Sequence, residues 1–404
     1  MFLKKTLSLV LALLLVLSAA AALADPVQID PYENRSIQIN KAGDNEVPDG
    51  VSPTTGLTLS EIELPDDANF VGQAVTGRYT PVLVQIDNTD GGFGNRAPWN
   101  GSYADIVYET PLYKRGVTRI SMLFSDVIPD YVAPVRSTRV NHVWLREEWD
   151  AAFVFWGGQQ YEKTNIYTAI EQLGHKVNVD NIFYDGTNGA GASHPWKAYM
   201  DHTDRMARPH NAYAMLSMLM TQVYPQNYTP ATNHAYKFAD ELPTGGDEAT
   251  NIYVTWGDET YHSMLEYDED DNLYYRYMTV DAKNPQLYDD ISPVVTKSDK
   301  IVHNRPISFS NVIVQWMKIE YPTTDGPKPV LIDTDNADYF IGGRHFKGVW
   351  NRDAYTDRTV FYGEDGNEIE LQRGHTLIIM MDYVDVTDGQ KNEPVNKNRT
   401  VSYE

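Results

Sequence analysis

Residues 79–88 read YTPVLVQIDN, an apolar run of strand length. Such a run belongs to a buried strand. Strands and helices then alternate. ADIVYETPLY (104–113) and GVTRISMLFS (116–125) read as two strands joined by a short turn at Lys114, Arg115 and Gly116. RVNHVWLREEWD (139–150) spaces Val140, Val143, Trp144 and Trp149 as a helix does, and AAFVFWGG (151–158) is another buried strand. YEKTNIYTAIEQLG (161–174) is a helix stopped by glycine. RPHNAYAMLSMLMTQVY (208–224) is a last helix, entered at Asn211, with a Met/Leu face suited to core packing. This alternation predicts an α/β N-terminal domain over residues 75–224.

Residues 225–248 break into Pro, Asn, Thr and Gly and are expected to be a linker. Short strand patterns follow, such as NIYVTWG, NVIVQWMKIEY and HTLIIMMDYV, separated by turns at Asp365-Gly366 and an acidic tip over 268–272. They predict a smaller, mainly antiparallel β domain over 249–388, with 389–404 as a tail. Residues 25–74 are polar, rich in Pro and Gly, and lack a sustained apolar period. They are expected to be a disordered linker.

Residues 1–24 have the layout of a secretory signal peptide. Lys4 and Lys5 precede an apolar stretch over 7–23, and Ala22 and Ala24 stand where a signal peptidase reads small residues. The stretch is shorter than the roughly 20 residues that span a bilayer comfortably, so cleavage before Asp25 is expected. No transmembrane segment is expected after it. Cleavage removes two lysines and no acid, moving the formal net charge from -23 to about -25. So acidic a chain would add repulsion to a phosphate backbone, which argues against nucleic acid as a partner. It contains no cysteine, which excludes disulfides, thiol catalysis and thiolate metal sites.

The segment VAPVRSTR (132–139) places two arginines in this acidic chain. Ser137 or Thr138 is suited to cap the helix that starts near Arg139, and a helix N-terminus offers unpaired N–H groups. With Arg136 and Arg139 beside it, that end suits a carboxylate or phosphate, and Arg119 is expected in the same pocket. Two readings stand. The anion belongs to an external ligand, or it is one of Asp87, Asp105 and Glu109. These three acids are also the candidates for catalysis. Asp87 ends a buried strand, where α/β domains place ligand groups. Glu109 sits on an apolar strand and must find a partner or hold its proton. One protonated and one ionised carboxyl could work as a general acid/base pair.

A second polar cluster, MDHTDRMARPHN (200–211), contributes Arg208, His210 and Asn211 as candidate ligand contacts. His202 and Asp204 lack the spacing of a metal site, and no metal or cofactor is expected. Trp99, Trp156 and Trp196 fall in or beside loops, where aromatic faces suit sugar rings or protein partners. GTNGAGAS (186–193) lacks the Lys of a phosphate loop. DTDNADYFIGGR (333–344) opens like a calcium loop but has Asp338 for its glycine and Arg344 for its terminal Glu. No GxSxG elbow is present.

PVLVQIDN (81–88), ADIVYE (104–109), GVTR (116–119), PVRSTR (134–139) and RPHNAY (208–213) resemble the YerB-like family of bacterial envelope proteins. GVWNRDAYTDRTVFYGEDGNEIELQRGHTLI (348–378) is similar to the end of that family's second domain. The resemblance implies two domains and an envelope location, and it brings no catalytic residue. Members usually carry a lipid-accepting cysteine, which is missing here. The expectation is therefore a secreted, envelope-associated binding or accessory protein whose partner is a cell-wall glycan or an envelope protein. The alternative is a hydrolase of an envelope glycan or phosphoester acting through Asp87 and Glu109.

Overall fold

The computed structural model describes residues 25–33, 35–64, 66, 69–89, 97–112, 117–177, 179–187, 194–256, 262–279, 286–320, 327–382 and 399–404. The expected signal peptide lies outside the described residues. So do most of the glycine-rich segment at 90–96, the turn at 113–116 and the glycine run at 188–193.

The first strand, β1 (Val27–Gln28), lies ahead of both halves of the sheet system. The N-terminal half then supplies β2 (Val82–Asp87), β3 (Ile106–Pro111), β4 (Thr118–Phe124), β5 (Ala152–Phe155) and β6 (Phe183–Asp185). β2, β5 and β6 run parallel in that order, while β4 lies antiparallel between β2 and β3. Helices α1 (Val140–Glu148) and α2 (Ile166–Gln172) connect them. Every residue of β2, β3 and β4 is buried, including the polar Gln85, Asp87, Glu109, Arg119 and Ser121.

The 208–224 stretch differs from expectation. Ala212–Met215 is a strand, β7, and only Leu216–Gln222 is helical, as α3. Ala212 and Ala214 are small enough to bury fully where β7 pairs with the strand Met200–His202.

The C-terminal half begins with β8 (Lys237–Ala239), β9 (Asn251–Trp256), β10 (His262–Asp268) and β11 (Leu273–Thr279). It continues with β12 (Asn311–Met317), β13 (Asp333–Ile341), β14 (Arg344–Arg352), β15 (Val360–Gly363), β16 (Glu370–Gln372), β17 (Thr376–Asp382) and β18 (Arg399–Tyr403). β17 pairs in parallel with β12 on one side and with β3 of the other half on the other. Among the described residues the largest sheet therefore has 11 strands and passes through both halves. Most strand pairs of the C-terminal half are antiparallel, as expected; the fully buried β12 and β17 pair in parallel instead. Among the described residues a second, seven-stranded sheet is built around β18, β9, β10 and β11. Val84, Phe153, Trp316 and Ile379 share one apolar core.

The segments expected as linkers and tail are packed. β1 pairs with β18, so the Arg399–Tyr403 part of the tail is a sheet strand. The Arg35 guanidinium donates to Asp338 at 3.0 and 3.1 Å. Asn45 donates to Ala235 O and Glu368, and Thr54 and Thr55 are fully buried. β8, inside 225–248, pairs with β16. Polar hydrogen bonds secure these segments in place of an apolar period. The would-be calcium loop is the β13–β14 hairpin, with Asp338 held by Arg35, Trp316 and His345.

Candidate functional site

The antiparallel register of β2 and β4 sets Asp87 directly opposite Arg119. Arg119 Nη1 donates to Asp87 Oδ1 at 3.3 Å, and Thr89 adds its hydroxyl at 2.6 Å and its N–H at 3.2 Å. Residues 134–136 run beside β2, with Arg136 N–H donating to Gln85 O at 2.9 Å. That brings Arg136 Nε to 3.8 Å from Asp87 Oδ1. His210 Nδ1 donates to the other carboxylate oxygen. Asp87 is 1% exposed. Burial alone pushes its carboxyl up, but Arg119, the Thr89 and His210 hydrogen bonds and Arg136 outweigh burial and hold it below the usual range. It is an ionised anchor for three cationic or imidazole groups.

Glu109 is 0% exposed. Its Oε1 accepts from Asn88 at 3.1 Å and from Thr118 at 2.6 Å, and its Oε2 accepts from Arg276 on β11. Arg276 is also fully buried, with its guanidinium 5.1 Å from the Tyr288 ring centroid and, among the described residues, no hydrogen bond at Nε or Nη1. The pair crosses between the two halves of the chain.

Asp105 belongs to a separate cluster. Its Oδ2 faces the Ser125 N–H at 2.8 Å, the Ser125 hydroxyl at 2.5 Å and the Thr54 hydroxyl at 2.9 Å. Asp126 beside it takes the Thr55 hydroxyl at 2.7 Å. Burial, then the neighbouring Asp126, push the Asp105 carboxyl well up against these hydrogen bonds. It holds the 52–55 segment in place and does not meet Asp87 or Glu109 in a shared cleft.

The expected helix cap is absent. Ser137 donates to Trp156 O at 3.2 Å and Thr138 N–H donates to Gly157 O at 2.9 Å, because this stretch pairs beside β5. Arg139 takes the N-cap position, and its N–H donates to His142 Nδ1 at 3.1 Å. The helix end is therefore closed by His142 and is not an open anion site. Asn211 donates to Thr203 O at 3.0 Å and serves the local fold. Trp99 and Trp196 are also buried, Trp99 stacked on Tyr213 and Trp196 on His194. Their flanking glycines signalled loops but not what covers the rings.

A partly exposed rim remains above Asp87. The side chains of Arg136 and His210 are 19% and 17% exposed, and Arg136 Nη1 donates to Pro209 O at 2.9 Å. Arg208 is exposed, and Arg139 and Trp156 are half-buried. Trp156 packs on His202 with centroids 4.4 Å apart. Burial and then Arg208 lower the His202 pKa, while Asp201 on the flank opposes them. Among the described residues no group of three or more His, Asp and Glu could hold a metal ion. No helix of the described residues is long and apolar enough to cross a membrane.

Arg276 and Asp185 were missed in the sequence. Arg276 carried a readable signal, since Tyr274, Arg276 and Met278 alternate onto the inward face of β11. Asp185 ends β6 as Asp87 ends β2.

Two family profiles match the chain. The profile described as "Protein of unknown function (DUF3048) N-terminal domain" covers residues 71–229, and its C-terminal counterpart covers 252–378. The chain is 22% identical over 345 residues to "Putative lipoprotein YerB" of Bacillus subtilis (strain 168), spanning 82% of this chain and 92% of that protein. The crystal structure of the YerB protein from Bacillus subtilis is similar with a TM-score of 0.57 at 19% identity, over 82% of this chain and 96% of that one.

Proposed function

From the premise that this chain belongs to the DUF3048 family of YerB-like proteins, we propose that it is an envelope-associated accessory protein that binds an anionic partner. The binding surface is the rim of Arg136, Arg139, Arg208 and His210, with Ser137 beside it. The envelope location follows the relative described as a lipoprotein.

One observation carries the binding reading. Asp87, 1% exposed, is shared by Arg119, Arg136 and His210. A carboxylate in that position orients the cations around it and has no access to a substrate. Glu109 is likewise enclosed with Arg276. General acid/base hydrolysis through these two carboxylates lacks a solvent-reachable group, and binding is the reading the geometry favours. Arg136 and His210 keep part of their surface open, and a fixed guanidinium presents paired donors to a carboxylate or phosphate.

The test is cosedimentation with purified bacterial cell-wall sacculi. Arg208→Ala removes an exposed cation and should leave the melting temperature unchanged while weakening retention. Retention that is equal for both proteins, at low and moderate salt, would overturn the rim as the binding surface.

A further inference from the structure

We propose that the partner is an acidic glycan, with a sugar unit seated in a second cleft beside the rim; the inference rests on the rim reading above. The cleft has a volume of about 550 Å³, within the roughly 300–1,000 Å³ usual for ligand pockets. Gln160, Tyr167, Glu171, Lys176, Val179 and Thr187 line it.

Its floor is built on a buried carboxyl group. Asp185 ends the parallel strand β6 and is 0% exposed. The Tyr167 hydroxyl donates to Asp185 Oδ2 at 2.6 Å. Asp185 Oδ1 accepts from the Thr187 hydroxyl at 2.8 Å and from the N–H groups of Thr187 and Gly157, each at 2.9 Å. Asp185 thus fixes Tyr167 and Thr187, both of which line the cleft, from behind. This is the carboxyl edge of the parallel strands, where open sheets of this kind receive ligands.

The lining is chemically mixed. Gln160 both donates and accepts, Glu171 accepts and Lys176 donates. Glu171 and Lys176 bring one acidic and one basic side chain to the lining. The Tyr167 ring and Val177 add apolar surface, and Val179 and neighbouring Tyr161 are 64% and 51% exposed. Alternating hydroxyls and C–H faces are what a sugar ring presents to such a surface. Rigid aromatic area with adaptable hydrogen bonds binds it at low entropic cost.

The 156–158 backbone lies between the cleft and the rim and is bonded to both. Trp156 N–H donates to Arg136 O at 3.0 Å, and Gly157 passes its N–H to Asp185. Gly157 has φ +69°, and a Cβ there would fall 2.9 Å from Thr187 Cγ2. Only glycine lets the rim backbone approach the cleft this closely. Residues 156–158 separate the two surfaces, a span of at most about 10 Å. A ligand that fills the cleft and reaches Arg136 or Arg208 must therefore contain at least two linked units, one of them acidic.

The experiment measures calorimetric binding of three probes to the full chain: a hyaluronate hexasaccharide, the neutral chitohexaose and poly-glutamate. The hexasaccharide should bind more tightly than either of the others. Replacing the exposed pair Gln160→Ala and Glu171→Ala should weaken hexasaccharide binding about tenfold, with poly-glutamate unaffected. Arg208→Ala should weaken both acidic probes and leave chitohexaose unchanged. If the cleft variant binds the hexasaccharide as wild type does, while Arg208→Ala still releases it, the glycan inference falls and the rim stands. Poly-glutamate binding as tight as the hexasaccharide has the same consequence. Chitohexaose binding as tight as hyaluronate removes the acidic part of the inference. Failure of both acidic probes to bind sinks the rim reading together with the inference.

Discussion

Arg276, on a C-terminal strand, forms a fully buried ion pair with Glu109, on an N-terminal strand, so the two halves are joined by opposite charges that never meet solvent. Removing one partner strands the other. Arg276→Met should cost about 3–5 kcal/mol, and combining it with Glu109→Gln should recover a large part of that loss. Chemical denaturation of the three variants checks this. Losses that simply add would show that the pair is not coupled.

Asp105 makes stability fall with rising pH. Its carboxyl is pushed up by burial and then by Asp126, so the folded chain holds a proton that the unfolded chain releases near pH 4. The contribution is complete below that value and is lost as pH rises through the folded pKa. Asp105→Asn should flatten the stability profile above about pH 4. A variant with the wild-type slope would contradict the assignment.

His142 acts in the opposite direction. Burial, then Arg139 and Arg119, push its pKa well down, and its Nδ1 already accepts the Arg139 N–H. Its Nε2 proton can therefore serve Thr110, 3.0 Å away. Folding needs the neutral ring, so its contribution is present above about pH 6.5 and is lost as pH falls through the folded value. His142→Gln should soften the acid side of the denaturation curve. The curves of the two proteins should converge as the pH drops, and parallel curves would count against this.

Residues 35–57 should resist limited proteolysis. Arg35, its side chain 4% exposed, is tied to Asp338, to Ala337 O and to Gly348 O. Arg35→Ala should cost about 3–5 kcal/mol by leaving Asp338 short of its cation. It should also open this stretch to trypsin and chymotrypsin. Rapid cutting there in the wild-type chain would mean that the segment is not held as described.

The buried strands were legible because a largely apolar run of strand length has few alternatives to a sheet interior. Asp87 was legible for a related reason, as the polar residue that ends such a run. The junction of β17 with β3 was not, since an apolar run does not specify which other run it pairs with. The expectation of a disordered linker over 25–74 missed the hydrogen bonds of Arg35, Asn45, Thr54 and Thr55, each bonded to a residue distant in sequence. Periodicity does not register bonds of that kind. The carboxylate–arginine cluster was legible as a composition. The choice between an external anion and an internal pair depended on the β2–β4 register.

The pairing of β17 with β3 also fixes an order of events as the chain is made. The edge formed by Ile106–Pro111 has no partner on that side until residues 376–379 exist, about 270 positions later. β1, the first described strand, waits still longer for Ser402 and Tyr403. Contacts this remote close slowly, and an apolar strand edge left open during the delay invites pairing with other chains. A nascent or truncated form of this protein is therefore a species that a cell must shield until the last strands arrive.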